Sequence, residues 1–292
     1  MILLLHTISR ILSALPLSVA LAVGRGIGRF MGSIIRYRKK DAKEALRRSL
    51  PDRTESERSR IQQNMYQNLG MTLVEQLRIS ILGFADFTDR IDVHGLEHFE
   101  SALSKNTGAI AMMAHIGNWE LCGFTTTFLD RPISVVVKPM RNPRLESYLT
   151  STRQKMNLRI LPVTTSYRQC IRTLRKGEIL AMIMDQNTQR DKGVFVDFFG
   201  QPACTTLGLA ILSAQTAAPV VPLFNIRRDD HRYDLIILPP IEPPPDRQKE
   251  TLKQFTQQYT RIIEDMIRKY PDQWIWIHRR WRTKPLQEQA ID

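Results

Sequence analysis

Residues 108–120 read Gly-Ala-Ile-Ala-Met-Met-Ala-His-Ile-Gly-Asn-Trp-Glu. The uncharged, largely apolar run into His115 predicts a short strand buried on both faces. A turn at Gly117 and a helical pattern across 118–128 follow. The same unit recurs downstream. Apolar runs at 133–137, 159–163 and 179–184 alternate with helical patterns at 143–156 and 167–176. Short strands alternating with helices of about 10–15 residues predict α/β units around a largely parallel sheet. Upstream, 91–93 reads as a strand and 96–104 as a helix. Beyond the repeat, 193–199 is strand-like and 206–217 helical. Runs 220–226 and 233–238 form a predicted hairpin around Arg227-Arg228-Asp229-Asp230. Five prolines between 239 and 245 make a stiff extended connector. A last amphipathic helix carries Leu252, Phe255, Tyr259, Ile262, Ile263 and Met266. The expected fold class is therefore α/β, a mixed, largely parallel sheet flanked by helices.

The N-terminal third reads differently. Ile61, Met65, Leu69, Leu73 and Leu77 recur at i+4 in a predicted helix over 55–82, with Tyr66 and Val74 widening the stripe. Residues 1–40 hold seven basic residues and no acid. Their opening is apolar but interrupted by His6 and Arg10, and 11–24 gives only 14 uncharged residues. A straight bilayer span takes about 20. Ala20-Leu21-Ala22 has the look of a signal-peptide cleavage site, against which stands Arg10 inside the apolar run. An ordinary packed helix is the second reading, with Gly24, Gly28 and Gly32 allowing a neighbour to come close. A membrane anchor is favoured, because Arg36, Arg38, Lys39 and Lys40 follow it as at an anionic cytoplasmic leaflet. The expected division is an anchor over 1–35, a helical membrane-proximal region over 36–83 and an α/β domain over 84–292.

The whole chain of 292 residues has 42 Lys plus Arg against 29 Asp plus Glu, a net charge of +13. With 42% hydrophobic and 8% aromatic residues it is no disordered polyelectrolyte. The charge alone suits nucleic acid, an anionic membrane or an acidic partner. No helix-turn-helix, zinc-finger or RNA-recognition signature is present, so no nucleic-acid partner is expected. Cys122, Cys170 and Cys204 are widely spaced and read as free thiols. His94 and His98 flank Gly95 without a third ligand, so no metal is expected. Gly24-Arg-Gly26-Ile-Gly28 lacks the strand that a dinucleotide loop requires, no Walker A sequence occurs, and no cofactor is expected.

Chemistry points to the end of the first buried strand, since ligands gather beyond the carboxyl ends of strands in open α/β sheets. His115 and Glu120 form an H-x4-E pattern there. A carboxylate folded back on the imidazole would fix its tautomer and leave the other nitrogen as a general base. A helix start capped by Asn118 would look the same. No G-x-S-x-G accompanies it, which favours direct attack by a substrate hydroxyl over a covalent acyl-enzyme. Asp185-Gln186-Asn187, after the 179–184 strand, is either a substrate-placing cluster or a polar turn. Trp274, Trp276 and Trp281 lie among Arg279, Arg280, Arg282 and Lys284. They suit a membrane-interface edge, whereas the Trp-Ile-Trp alternation alone reads as a buried strand.

Taken in order, His115–Glu120, Asp185-Gln186-Asn187, the 194–203 run Val-Phe-Val-Asp-Phe-Phe-Gly-Gln-Pro-Ala and the 270–281 run Tyr-Pro-Asp-Gln-Trp-Ile-Trp-Ile-His-Arg-Arg-Trp resemble one family over nearly the whole chain. It is that of the late, or secondary, lipid A biosynthesis acyltransferases of the HtrB/MsbB type. The resemblance implies a glycerolipid-acyltransferase-like fold held at the bacterial inner membrane, with its catalytic domain on the cytoplasmic side. It implies an acyl-[acyl carrier protein] donor and an anionic glycolipid acceptor. In lipid A enzymes the acceptor is the hydroxyl of a 3-hydroxyacyl chain on a glucosamine disaccharide. Phosphatidylinositol mannoside acyltransferases share the family, and a lysophospholipid acceptor stays open. By resemblance His115 is the base, Glu120 its partner, and a downstream arginine steadies the reacting centre or holds a phosphate. Arg141, Arg144 and Arg153 are the candidates, Arg153 preferred. Asn118, Arg141, Asp185, Gln186 and Asn187 are the expected substrate contacts. The reading from another class is a non-enzymatic basic protein that binds membrane or nucleic acid.

Overall fold

The structure, a computed structural model, describes residues 2–83, 85–164 and 167–286. Residue 84, where the α/β region was expected to begin, and residues 287–292 at its end lie outside the described residues. The chain opens with α1 (Ile2–Ala14), α2 (Leu17–Phe30), α3 (Lys39–Ser49) and α4 (Glu55–Ile79). Next come α5 (Ala85–Thr88), β1 (Ile91–His94), α6 (Glu97–Leu103), β2 (Ala109–Met113), α7 (Thr125–Leu129), β3 (Ile133–Val137), α8 (Pro143–Lys155) and β4 (Leu158–Pro162). Then follow α9 (Tyr167–Arg175), β5 (Ile179–Ile183), β6 (Gly193–Phe198), β7 (Gln201–Thr206), α10 (Gly208–Thr216), β8 (Val220–Arg227), β9 (Tyr233–Ile237) and α11 (Lys249–Lys269).

Seven strands form one sheet in the order β1-β9-β8-β2-β5-β3-β4. Every neighbouring pair is parallel except the β8–β9 hairpin, as the charged four-residue turn between them predicted. The α/β reading is therefore correct. The buried β2 run alternates its side chains between two cores. Ile110 and Met112 join the cluster that includes Phe224, Tyr259, Trp274 and Trp276. Ala109, Ala111 and Met113 join the cluster of Phe87, Phe99 and Tyr233 on the other face.

The predicted 193–199 strand forms, and two other local readings change. The 193–199 run is one arm of a separate antiparallel hairpin, β6–β7. Phe199 and Gly200 take φ of 57° and 68°, the consecutive left-handed residues that a tight hairpin turn needs. Trp274 and Trp276 are fully buried without forming a strand, so neither lies at a membrane edge. Arg280 is also buried, donating to Cys204 O and Thr205 Oγ1, while Arg279 and Arg282 stay exposed. On α4, Leu73 is exposed and Leu69 half-buried. An i+4 row advances about 40° round the helix at each step, so five such positions walk off a single face.

The N-terminal helices pack against the body. Pro16 breaks α1 from α2, and α2 lies along α4. A Cβ on Gly28 would fall 2.0 Å from Tyr66 O, so only glycine permits this approach. Arg78 of α4 donates to Leu12 O and Leu15 O. The opposite side of this layer leaves Leu3, Leu4, Ile11, Val19, Val23, Phe30, Ile34 and Ile35 exposed, Leu3 at 81% and Ile34 at 68%.

Candidate active site

The pairing of β2 with β5 builds the centre of the site. Met113 sits opposite Ile183, an offset of 70 residues that runs through the whole ladder. Two residues further along each strand, His115 and Asp185 leave the sheet side by side. Asp185 Oδ1 lies 2.8 Å from His115 Nδ1, and Oδ2 accepts the His115 backbone N–H at 3.0 Å. Trp274 donates its indole N–H to Oδ2 at 2.7 Å. The carboxylate is almost wholly enclosed, whereas the imidazole keeps 18% of its side chain exposed. The rest of the imidazole faces Trp119, edge to face at 5.1 Å, and the exposed amide of Gln186, whose Nε2 is 3.4 Å from Nε2 of the ring.

Glu120 was expected against the imidazole. Instead it takes Arg153 in a two-pronged pair, Nε to Oε2 at 3.1 Å and Nη2 to Oε1 at 2.7 Å. The cause is local. Residues 119–124 wind as a tight three-residue-per-turn helix, which aims Glu120 at α8 rather than back at the ring. Glu120 still acts on His115 through its charge. Burial disfavours the imidazolium, but Asp185, by charge and hydrogen bond, and then Glu120 outweigh it and raise the His115 pKa. Asp185 moves the other way: burial opposes its charge, yet His115, Trp274 and the backbone N–H hold it below the usual carboxylate range.

Other expected contacts are distributed differently. Asn118 is fully buried and its amide donates to Glu75 Oε2 at 2.8 Å, so its side chain faces the interior rather than a substrate. Its backbone N–H goes to Asn225 O and that of Gly117 to Gln273 O, which removes both as oxyanion donors. Gly117 has φ +59° and a Cβ there would meet Asn225 O at 1.9 Å, so the turn demands glycine. Asn187 holds the C-terminal segment through Thr283, by Nδ2 to Oγ1 at 3.0 Å and Thr283 N–H to Oδ1 at 3.1 Å. Arg141 is exposed in the bend before α8, outside the ring of residues around the cavity described next. Arg144 follows Asn142, the N-cap of α8, and is exposed too.

His115, Trp119, Glu120, Arg153 and Gln186 line the polar mouth of a cavity of about 560 Å³. Its depth runs between sheet and helices past Ala111, Ile133, Val135, Leu158, Leu212 and Leu223, all apolar. A polar mouth with a carboxylate, an imidazole and a guanidinium over a hydrocarbon-like interior suits an amphipathic substrate with a reactive carbonyl at its head. Among the described residues, no group of three or more His, Cys, Asp or Glu stands ready to hold a metal.

Sequence reasoning left two functional groups unread. Asp185 was taken for a substrate contact because its strand partner, β2, is separated from it by β3 and β4 in sequence. Trp274 carries no local sign that its indole serves Asp185; only the fold brings the two together.

Comparison with known proteins finds relatives over most of the chain. The chain is 28% identical over 279 residues to a lipid A biosynthesis palmitoleoyltransferase of Escherichia coli, covering 95% of this chain and 89% of that one. It is 29% identical over 279 residues to the lipid A biosynthesis lauroyltransferase of the same organism, covering 93% and 88%. The crystal structure of a 1-acyl-sn-glycerophosphate acyltransferase from Thermotoga maritima aligns over 85% of this chain and 97% of that one, with 15% identity and a TM-score of 0.38. The family described as bacterial lipid A biosynthesis acyltransferase matches residues 1–283. The chain belongs to the bacterial lipid A biosynthesis acyltransferases.

Proposed function

We propose that this acyltransferase moves a fatty acyl chain from an acyl-carrier-protein thioester to a hydroxyl of a lipid A precursor, with His115 as the general base. The observation that carries the reading is the Asp185–His115 pair at the mouth of the apolar cavity. Asp185 accepts from Nδ1–H, which leaves Nε2 as the basic nitrogen. The acceptor hydroxyl gives its proton to Nε2 while its oxygen attacks the thioester carbonyl. The tetrahedral oxyanion collapses, the C–S bond breaks, and the imidazolium returns the proton to the departing thiolate. Arg153 is a cationic donor lining the same cavity: Glu120 holds two of its nitrogens and leaves Nη1 for the developing oxyanion or an acceptor phosphate. In this reading Glu120 positions Arg153, and Asp185 takes the part that the resemblance gave to Glu120. Gln186, beside the ring, contacts the acceptor. Incubating the purified protein with a lipid A precursor and either acyl-carrier-protein or acyl-coenzyme-A thioesters of one chain length tests the donor. Transfer chiefly from the carrier-protein thioester is expected; transfer from coenzyme A alone would contradict it.

The acyl chain occupies the cavity. Val135 lies along its wall. Val135→Phe is expected to shorten the longest chain transferred efficiently, while shorter thioesters keep turnover within about threefold, since one added ring fills volume without touching the mouth. A chain-length series read as relative kcat/KM decides this, and an unchanged profile places the chain elsewhere.

The N-terminal layer binds the membrane in one leaflet. The segment Leu17–Ile35 is long and apolar enough to cross a bilayer by composition. A bilayer surrounding Gly24 and Gly28 would, however, also surround Gln63 and Gln67 on the adjoining α4, and polar side chains in hydrocarbon are costly. Lying in the interface, Phe30, Ile34 and Ile35 dip into the acyl region and Arg36, Arg38, Lys39 and Lys40 meet anionic headgroups. Ile34→Asp with Ile35→Asp is expected to reduce flotation with anionic vesicles about tenfold or more, leaving thermal stability unchanged. Wild-type flotation by that variant would remove this face from the account.

A further inference from the structure

A second cluster of charge lies behind the site, beneath the 115–120 turn. Glu75 of α4 is completely buried, an acid on the inward face of a helix whose neighbours there are Met71, Val74 and Ile79. Arg227, at the end of β8, donates to Glu75 Oε2 at 2.7 Å. Tyr233 of β9 donates its hydroxyl to Oε1 and accepts from Arg227 Nη1. Arg90 stands 3.9 Å from the same carboxylate. Burial works against the Glu75 charge, but Arg227 and Tyr233 outweigh it and keep the group ionised. The remaining donor is Asn118, whose Nδ2 reaches Oε2 at 2.8 Å.

A buried ion pair contributes little to stability over an apolar pair of the same shape, so stability alone gives a weak reason for this cluster. Its geometry supplies another. Asn118 lies between His115 and Glu120, and its side chain is tied to no partner but Glu75 in the described hydrogen bonds. Thr72, one turn before Glu75, approaches Gly117 O at 3.4 Å. Gln273 brackets the turn from the other side, accepting from Gly117 N–H and exchanging two hydrogen bonds with the Arg227 backbone. The turn is thus held from both flanks, and Glu75 is the hub of one of them.

We propose that Glu75 is a positioning residue for acyl transfer, holding the 115–120 turn through Asn118 so that His115 and Glu120 face one cavity. The proposal rests on the reading of His115 as the base. A misplacement of about 1 Å in a catalytic group costs on the order of 10² in rate.

Four variants test it by steady-state kinetics with thermal melts: Asn118→Ala, Glu75→Gln, the exchange E75Q/N118D, and His115→Ala as the control. Asn118→Ala leaves the Glu75–Arg227–Tyr233 cluster whole, so it is expected to fold and to lose about 10- to 100-fold in kcat, with KM for the acyl carrier within about twofold. Glu75→Gln is expected to fall likewise. The exchange restores a carboxylate–amide hydrogen bond with donor and acceptor reversed, and is expected to recover at least about tenfold over Glu75→Gln. A folded Asn118→Ala variant with wild-type kcat, beside an inactive His115→Ala, overturns the proposal and leaves the base intact. An active His115→Ala overturns the reading on which it rests. If Glu75→Gln fails to fold, Asn118→Ala decides alone.

Discussion

Replacing His115 with alanine is expected to lower kcat by about 10³ or more, at the upper end of what a general base contributes. The imidazole is the group at the cavity mouth with a carboxylate behind one nitrogen and, beside the Gln186 amide, the cavity before the other. Arg153 is permanently charged and acts only as a donor, and Glu120 is already engaged by it. Neither of these two described neighbours is therefore placed to take over proton removal. The melt of the variant is expected to stay cooperative at a lower temperature, because buried Asp185 loses its imidazole partner but keeps the Trp274 indole and the residue-115 backbone N–H. Turnover within tenfold of wild type would remove His115 from the mechanism.

Asp185→Asn is expected to produce the second largest loss, about 10²- to 10⁴-fold in kcat, with a change in the pH profile. An asparagine oxygen still accepts the Trp274 indole, but its amide then points N–H at His115 Nδ1. The ring is forced into the tautomer protonated on Nε2, which has no lone pair to receive the acceptor's proton. The sign of the pH effect follows from charge. His115 works neutral, and Asp185 raises its pKa, so wild-type activity climbs with pH through that raised value. Removing the negative charge leaves burial and Arg153 opposed by Glu120 without Asp185, and the acidic limb of kcat moves to lower pH. A limb that stays in place, with a loss under tenfold, would show that Asp185 does not serve the imidazole.

Much of the fold was legible because the central strands are short apolar runs ended by a polar break, as in 109–113 and 179–183. The β8–β9 hairpin announced itself by the charged turn between two apolar runs. The β7 strand did not, because its Gln-Pro-Ala-Cys-Thr-Thr has neither alternation nor a branched apolar core. His115, Glu120 and Arg153 were each visible as candidates, and the structure gathers all three at one cavity mouth. Their partners were invisible, since partnership follows strand order. His115 meets Asp185 only because β2 pairs with β5, and Asn118 turns inward only because α4 presents Glu75. The tryptophans near the C-terminus stayed divided between a membrane edge and a buried strand for the same reason: an amphipathic, basic sequence says nothing of the closed core that Trp274 and Trp276 enter.

Mass spectrometry of the lipid product tests the central claim most directly. A host lacking this gene is given either the wild-type chain or His115→Ala, and its glycolipids are compared. Wild type is expected to add the mass of one ester-linked acyl chain to a lipid A precursor, and His115→Ala none, at equal protein levels. An identical gain with both, or a gain only on lipids unrelated to lipid A, would contradict the account.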